Sequence, residues 1–321
     1  MISYHFSETK DIKEYLISIE AIKLSFEASK ILPQLEEKIL RQSILRSSVF
    51  SARIEGNPLN MSNYDKFDDE QVHKIEINNL LKSYRHLYSA TKPPSFSLET
   101  IKSLHQDVMR NLSPMAGKFR QEPWAIFDSS GNVIHLAPTY LKLPELMSGY
   151  IEYINGLDCH PTIRSAIAQF VFEKIHPFAD GNGRAGRLIS ALILKQHNFH
   201  LRGMIPFEEY TDTHREAYYY ALEPSNDMTE FIEYYLKSLV FTGQKILKLV
   251  KSNPDSVPGL PPRRQEILEI IIDHPNCTFD FLARRFAQVN PKTLHYDLGQ
   301  LQKSGLIRKL GATRGVLYTA V

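Results

Sequence analysis

Residues 176–187 have the sequence HPFADGNGRAGR, and this stretch decides the fold predicted for the 321-residue chain. Pro177 ends the preceding helix, because proline cannot donate the next backbone hydrogen bond. Gly181 and Gly183 favour a loop in which the backbone approaches a ligand closely. A second helix is predicted to begin at about Arg184. The pattern indicates a helix, a loop and a helix within a mainly α-helical protein.

The residue types of this loop suit a polyphosphate. The start of the second helix presents unpaired backbone N–H groups and the positive end of the helix dipole. Arg184 and Arg187 are three residues apart, so both guanidinium groups extend from one face of the first turn. Asp180 can hold Mg²⁺ while phosphates supply other ligands, and His176 is within reach as a general base. A capped turn with an isolated histidine is the plainer alternative, which the combination of residues disfavours.

These residues match the complete HxFx(D/E)GNGRxxR motif of Fic-domain proteins, which the chain resembles from its N-terminal helices to about residue 250. The resemblance implies a mainly α fold, with a Fic helical core and a β-hairpin flap. Fic enzymes typically transfer AMP from ATP to a hydroxyl group of a target protein. The expected activity is therefore that of a protein adenylyltransferase, with ATP as substrate, Mg²⁺ as cofactor and pyrophosphate as product.

The resemblance also assigns a role to each residue of the motif. His176 is the base that deprotonates a Ser, Thr or Tyr hydroxyl of the target, and Asp180 is the Mg²⁺ ligand. The positions expected to contact the nucleotide are Gly181, Asn182, Gly183, Arg184, Ala185, Gly186 and Arg187. Glycine at position 183 favours nucleotidyl transfer, because the kinase branch of the family has lysine there.

A second stretch, SARIEG from Ser51 to Gly56, resembles the inhibitory (S/T)xxxE(G/N) motif of the family. Ser51 and Glu55 are four residues apart and share one face of a helix. The resemblance implies that Glu55 pairs with Arg187, removes a ligand of the γ-phosphate and leaves ATP in a non-productive pose. A solvated helix face is the plainer alternative.

Two further regions resemble parts of the family's binding site. The sequences WAIF and VIHL, joined by a turn-rich connector, predict a hairpin at 124–137. In the family a flap at this place clamps the backbone of the target protein, whereas the alternative is a plain surface hairpin. Tyr219 and Asn226 resemble the segment that lines the adenine pocket, although an aromatic run on a helix is more often core. Arg120 is left open as a nucleotide contact.

Composition shifts predict the domain organisation. The segment 251–262 contains four prolines, one glycine and two serines, which is typical of a linker. The expected order is an N-terminal helical region at 1–95 with an inhibitory helix at about 37–56, a Fic catalytic core at 96–250, the linker, and a winged-helix domain at 263–321.

The C-terminal segment carries a basic excess. Residues 260–321 contain nine Lys or Arg and five Asp or Glu, whereas the whole chain contains 38 and 36. A recognition helix is predicted at 291–304. The basic candidates toward solvent on that helix and near the wing are Lys292, His295, Lys303, Arg308, Lys309 and Arg314. Asp297 and the modest excess weigh against DNA, so DNA contact and protein docking both stay open.

The overall composition excludes other classes. Hydrophobic residues make up 43% and charged residues 23%, which is typical of globular proteins. The mean hydropathy of −0.28 predicts no membrane partner. The N-terminus lacks a secretory pattern and the two cysteines have no CxxC partner, so a cytoplasmic location is expected and a disulfide scaffold or zinc finger is not.

Three functional alternatives stay open at this level. Within enzymes, the chain transfers another nucleotide such as UMP, or removes AMP from a modified target with Glu55 orienting a water. In a different class, the chain is a DNA-binding regulator whose Fic core senses nucleotide. A homodimer and the identity of the target protein are not decided by the sequence.

Overall fold

The computed structural model describes residues 4–64, 68, 71–127, 133–223, 226–251, 260–311 and 316–321. The chain divides into two compact units, which comprise residues 1–29 with 40–248 and residues 30–39 with 249–321. The described residues are mainly helical, which confirms the fold class predicted from the sequence. Most of the predicted linker 251–262 lies outside the described residues.

The first unit is built from helices and one hairpin. Helix α2 (Pro33–Ile54) enters this unit at residue 40. The other elements are α1 (Lys10–Glu27), α3 (Val72–Ser89), α4 (Leu98–Val108), β1 (Ala125–Phe127), β2 (Val133–Leu136), α5 (Leu143–Gly156), α6 (Pro161–Ile175), α7 (Asn182–Gln196), α8 (Glu208–Thr213), α9 (Arg215–Ala221) and α10 (Thr229–Lys251).

Helices α6 and α7 form the centre of this unit. Nearly every residue of both helices is buried, because α6 packs on α5 and α7, and α7 also packs on α3 and α4. Pro161 opens α6 at a position where a missing N–H costs nothing. Thr9 and Ser97 cap α1 and α4 by accepting backbone N–H groups. The pair of helices that flanks the 176–181 loop therefore lies in the core of the unit.

Several predicted helix boundaries are wrong. Helix α7 begins at Asn182 rather than at 184, because Gly181 adopts a positive φ of 78° and frees the next residue to start the helix. Helix α2 begins at Pro33 rather than at 37, since proline is well suited to the first turn. Residues 208–221 form two short helices, α8 and α9, that are separated at His214 with φ −128°.

Both strands of the predicted hairpin are present. Strands β1 and β2 pair antiparallel, with Ala125 opposite Leu136 and an irregularity between Ile126 and Phe127. The connector at 128–132 lies outside the described residues. The hairpin gives the first unit a short two-stranded sheet next to the 176–181 loop.

The second unit is a small helical and β domain. It contains α11 (Pro262–Asp273), β3 (Cys277–Thr278), α12 (Phe279–Arg285), α13 (Pro291–Lys303), β4 (Ile307–Leu310) and β5 (Leu317–Ala320). The strands form one antiparallel sheet in the order β3-β5-β4. Strand β3 is too short to be predicted from sequence periodicity. Apolar residues of all three helices share a core with the sheet.

Asp297 belongs to the interior of this unit and does not face solvent. The residue is only 2% exposed. Its carboxylate accepts hydrogen bonds from Arg263 Nε at 2.6 Å and from Arg264 Nε at 2.8 Å. Asp297 therefore adds no exposed negative charge to α13, because its carboxylate is paired within the fold.

Replacing Asp297 with alanine should destabilise the second unit by about 2 kcal/mol, because two arginines lose a buried acceptor. Amide hydrogen exchange of α13 in the full chain measures this loss. The matched control is Asp280→Asn at an exposed site, which should leave the protection of α13 unchanged. Equal protection in wild type and Asp297→Ala would contradict the structural role of this ion pair.

Candidate active site

The 176–181 loop is held in shape by its own residues. Gly181 requires its positive φ, and a Cβ at this position would lie 2.6 Å from Met109 Sδ. The Asn182 side chain accepts a hydrogen bond from the Phe178 backbone N–H at 3.0 Å and donates one to the Phe178 carbonyl at 2.8 Å. The Asn182 amide is thus a brace of the loop, and only its backbone N–H belongs to the helix N-terminus.

His105 of α4 packs against the same loop and holds it by a hydrogen bond. Its ring stacks on Phe178, with centroids 3.6 Å apart and planes at 3°. Its Nδ1 accepts a hydrogen bond from Gly117 N–H at 2.9 Å, so the ring proton is on Nε2, which donates to the Asp180 carbonyl at 2.8 Å. Burial lowers the pKa of His105 to about 4, which keeps this brace neutral.

His176 lies at the end of α6 in the left-handed region, with φ 47°. Its ring stacks on Trp124, which directly precedes β1, at a centroid distance of 3.5 Å. Arg120 Nε donates to the His176 carbonyl at 2.8 Å, and Arg120 N–H donates to Pro177 O at 3.0 Å. Buried Arg120 also donates to the carbonyls of Glu122 and Pro138. These three carbonyls belong to the loop and to the segments that precede β1 and follow β2, so the Arg120 guanidinium joins the hairpin base to the loop.

Arg187 is fully buried and faces the end of α2. Its Nε donates to Ser51 Oγ at 2.9 Å, and its Nη2 donates to the Ser51 carbonyl at 2.9 Å and to Glu55 Oε1 at 2.8 Å. Burial lowers the pKa of Arg187, but the charge and hydrogen bond of Glu55, together with Tyr218 and the charge of Glu173, outweigh burial and raise the pKa well above its ordinary value. The predicted pairing of Glu55 with Arg187 is therefore present.

Glu55 also covers the start of α7. A Cβ on Gly183 would collide with Glu55 Oε1, so the glycine is what lets the carboxylate approach the helix N-terminus. The carboxylate thus occupies an anion position between Arg187 and the first turn of α7.

The rest of α2 is fixed within the first unit. Ser47 Oγ donates to buried Glu208 at 2.7 Å, and Arg53 Nε donates to Asp212 at 3.0 Å. Tyr219 Oη donates to the Ile54 carbonyl at 3.1 Å. Ser43, Ser47 and Ser51 are all buried and repeat every four residues. One face of α2 is therefore a buried polar stripe that places Glu55 over the loop.

Arg184 is held by two carboxylates. Its Nη1 donates to Glu76 of α3 at 2.6 Å, and its Nη2 donates to Asp180 Oδ1 at 2.8 Å. Asn57 Nδ2 in turn donates to Glu76 Oε2 at 2.7 Å. Asp180 Oδ1 also accepts the Gly181 N–H at 2.6 Å. Arg184 is therefore buried behind Asp180, and it orients the Asp180 carboxylate, whose side chain is 68% exposed.

These groups face one cavity of ≈ 820 Å³ in the first unit. The cavity is large enough for a nucleotide-sized ligand. Its walls carry His176, Asp180, Gly181, Asn182 and Gly183 of the motif together with Glu55, Trp124, Glu173, Tyr218, Tyr219 and Tyr220. The structure therefore brings the predicted base, the predicted metal ligand and the predicted inhibitory carboxylate to one space.

Other predicted nucleotide contacts lie elsewhere. Ala185 is fully buried, and a Cβ on Gly186 would lie 2.9 Å from Glu173 Oε1 of α6. Both positions pack α7 against α6. Asn226 is exposed, and its carbonyl accepts a hydrogen bond from His5 N–H at 3.0 Å. None of these three is among the described residues that line the cavity.

The tyrosine run splits between core and cavity. Tyr218 is 3% exposed, and its hydroxyl accepts a hydrogen bond from Gln169 Nε2 at 3.1 Å. Tyr219 and Tyr220 are 51% and 62% exposed. Tyr219 therefore presents an aromatic face to the cavity while it contacts the end of α2.

The donor set around Asp180 fits a hydrated Mg²⁺. Within the described ranges no group of three or more His, Cys, Asp or Glu side chains is placed to hold a metal. Mg²⁺ commonly takes one or two carboxylates and completes its shell with phosphates and water. The exposed carboxylate of Asp180 at the cavity wall meets that requirement.

Sequence reasoning missed four residues of this site. Trp124 is the chain's single tryptophan and directly precedes the hairpin, which was a usable signal. Glu173 precedes His176 by three residues, so helical spacing places it nearby. His105 and Glu76 lie far along the chain from the motif, and only the tertiary fold brings them there.

Comparison with known proteins agrees with this geometry. Residues 95–194 match the model of the Fic/DOC family. The protein adenylyltransferase fic-1 of Caenorhabditis elegans is 28% identical over 186 residues, which cover 54% of this chain and 34% of that protein. The protein adenylyltransferase Fic of Nematostella vectensis is 28% identical over 149 residues, or 44% and 32%. The chain thus spans about a third of the length of these curated relatives.

Solved structures share the fold. A Fic family protein from Desulfovibrio desulfuricans G20 has a TM-score of 0.66 and 23% identity, with 98% of this chain and 97% of that chain covered. A fragment of Fic-1 from C. elegans has a TM-score of 0.60 and 21% identity, with 76% and 74% covered. In the part of the chain that the structure describes, no helix is long and apolar enough to cross a membrane.

The neutral His105 predicts a loss of stability in mild acid. The unfolded chain binds a proton near pH 6.5, whereas folded His105 binds one only near pH 4, so stability falls as pH drops through this window. The loss amounts to about 3 kcal/mol at one pKa unit per 1.36 kcal/mol. Urea unfolding followed by the fluorescence of Trp124 should show a flatter pH dependence for His105→Phe than for wild type. Parallel pH dependences of the two proteins would contradict this role.

Proposed function

We propose that the first unit is an autoinhibited protein adenylyltransferase that transfers AMP from ATP to a Ser, Thr or Tyr hydroxyl. The observation that carries the proposal is one cavity lined by His176, Asp180, Glu55 and the N-terminus of α7, with Arg187 paired to Glu55 at its edge. The names of the curated relatives, protein adenylyltransferases, support the same reaction class.

The reaction requires a base, an anion site and a positioned nucleotide. The target hydroxyl oxygen attacks the α-phosphorus, its proton passes to His176, and the bond to pyrophosphate breaks. Positioning and charge stabilisation supply most of the rate in such transfers. The N–H groups of the first turn of α7 face the phosphates, and Arg187 stabilises the leaving charge once it is released from Glu55.

Mg²⁺, bound at Asp180 and at phosphate oxygens, would neutralise charge on the leaving group. Arg184 and the Gly181 N–H hold the Asp180 carboxylate in one orientation for that purpose. Glu76 keeps Arg184 in place, so this pair is a positioning device behind the metal ligand.

Autoinhibition follows from competition for Arg187. Glu55 places a carboxylate at the N-terminus of α7, where the outermost phosphate requires positive charge. Because Ser47, Ser51 and Arg53 fix α2, the inhibitory element to release is the Glu55 side chain and not the whole helix.

The target protein is expected to dock on the hairpin at 124–137. Strand addition to a hairpin edge supplies main-chain hydrogen bonds without a specific sequence. Val133 and Leu136 are exposed on β2, and Trp124 links the hairpin base to His176. A target hydroxyl on such a strand would arrive beside the base.

Glu55→Gly should raise self-labelling by ATP radiolabelled at the α-phosphate by about tenfold or more, since it frees a charged hydrogen bond worth about 1.5–3 kcal/mol. Adding His176→Ala should abolish the incorporation. The matched control is Glu14→Gln, which removes an exposed ion pair with Lys10 and should label like wild type. Unchanged labelling of Glu55→Gly would contradict autoinhibition.

The same assay separates the alternatives. Label from the γ-phosphate would indicate phosphorylation, and stronger competition by UTP than by unlabelled ATP would indicate UMP transfer. A target labelled by Glu55→Gly can be incubated with wild type or with Glu55→Gly. Release of AMP by wild type but not by Glu55→Gly would indicate that Glu55 orients a water for AMP removal.

A second candidate function concerns the second unit, which we propose is a winged-helix domain that binds DNA. Its described exposed charges on α13 and β4 are Lys292, Lys303, Arg308 and Lys309. All four are basic. The carboxylate of α13, Asp297, is not among the exposed charges because it is buried and paired with Arg263 and Arg264. Exposed His295 adds a further donor on the same helix.

Binding to a fluorescent DNA duplex should weaken steeply with salt, and Lys292→Gln with Lys303→Gln should reduce the slope of log K against log salt by about 2. Lys10→Gln with Lys13→Gln, at exposed sites on α1 of the first unit, is the matched control. Absence of binding at low salt would leave docking to protein as the role of this unit.

A further inference from the structure

Glu173 of α6 is a largely buried carboxylate, with a side chain 13% exposed, that the proposed reaction does not use. It lines the cavity, and its buried Oε1 has no hydrogen-bond partner among the described residues. Burying an unpaired carboxylate costs free energy unless a partner compensates for it. A group of this kind at the wall of an active-site cavity is a candidate functional group.

The proposed catalytic base, His176, lies beside Glu173. Glu173 precedes it by three residues on the last turn of α6, and His176 Nδ1 lies 3.9 Å from Glu173 Oε2. This separation exceeds a hydrogen bond, as catalytic contacts often do before substrate binds. A closing movement of about 1 Å would bring the two atoms to hydrogen-bond distance. The stack on Trp124 and the bond from Arg120 hold the ring and backbone of His176 beside Glu173.

Glu173 is also linked to the inhibitory pair. Gly186 of α7 has no side chain, which leaves room for Glu173 Oε1 against that helix. Arg187, one residue further on, is bound by Glu55 through Nη2, while its buried Nη1 has no hydrogen-bond partner within the described ranges of the chain. Glu55 and Glu173 therefore lie in the field of the same arginine.

We propose that Glu173 is a positioning residue that accepts a hydrogen bond from His176 Nδ1–H, and that Glu55 opposes this contact by its charge. The proposal rests on the proposed adenylyl transfer and adds a second route of inhibition. Glu55 withholds Arg187 from phosphate and also keeps the carboxylate of Glu173 from acting on the base.

The proton balance of the step is simple. The target O–H proton passes to His176 Nε2 as the new O–P bond forms and the P–O bond to pyrophosphate breaks. The Nδ1–H stays on the ring and donates to Glu173, which remains ionised and stabilises the imidazolium. Loss of the Nε2 proton to solvent restores the base.

The charges around Glu173 support this coupling. Burial, as the larger cause, and the charge of Glu55 together raise the pKa of Glu173 to about 8, against the opposing charges of Arg187 and Lys174. Removal of Glu55 therefore favours the ionised form near neutral pH. The titratable groups that face Glu173 are Glu55, Arg187, Lys174, His176, Tyr150, Tyr218 and Tyr219.

An NMR titration of the histidine ring C–H signals tests the contact without any turnover. The pKa of His176 should be about one unit higher in Glu55→Gly than in Glu55→Gly with Glu173→Gln. His176→Ala assigns the signal among the 12 histidines. Glu55→Gly with Glu14→Gln is the matched control and should titrate like Glu55→Gly. Equal His176 pKa values with and without the Glu173 charge would overturn the proposal.

A kinetic measurement separates positioning from packing. In the Glu55→Gly background, Glu173→Gln should lower kcat about tenfold, leave KM for ATP within about twofold, and shift the acid limb of the pH profile to lower pH. Glu173→Asp should restore part of kcat. Equal losses in both variants with an unshifted pH profile would mean that Glu173 only packs. If no variant transfers AMP while the NMR shift is present, the proposed reaction fails and the contact stands.

Discussion

A single buried cation, Arg187, is the constraint on which the site depends. It is fully enclosed, so its charge requires hydrogen-bonding partners within the protein. Those partners are Ser51 and Glu55 at the end of α2. The sequence of α2, with serines every four residues along a buried stripe, is what brings a carboxylate to that guanidinium. A nucleotide that needs Arg187 must therefore displace Glu55.

The loop that follows His176 is organised in advance of any ligand. His105 fixes it from one side and Asn182 closes it from within. Arg120 and Trp124 tie it to the hairpin. Because these groups are already bonded, a bound nucleotide loses little free energy in ordering the loop. The same rigidity explains why the release of inhibition is expected at the Glu55 side chain.

The sequence predicted the loop and its flanking helices but missed residues that are far from the motif along the chain. Proline and glycine positions located the loop and its flanking helices, and the motif located His176, Asp180 and Arg187. The start of α7 was missed by two residues, because the cap depends on the positive φ of Gly181. Glu76 and His105 were missed since their roles arise from tertiary packing.

Several residues of the motif hold the site in shape. The Asn182 side chain braces the loop, and Ala185 and Gly186 pack α7 against α6. Asp297 lies inside the second unit, because its helix turns it toward two arginines. A sequence motif reports which residues occur together. Only the fold separates those that face a ligand from those that hold the ligand site in shape.

The competition between Glu55 and phosphate for Arg187 is tested most directly by calorimetric binding. A non-hydrolysable ATP analogue and AMP are each titrated into wild type and Glu55→Gly in the presence of Mg²⁺. The account predicts that Glu55→Gly binds the triphosphate about tenfold more tightly or better, because one charged hydrogen bond is worth about 1.5–3 kcal/mol, and that AMP affinity is unchanged. Equal triphosphate affinity in the two proteins, or an equal gain for AMP, would contradict it.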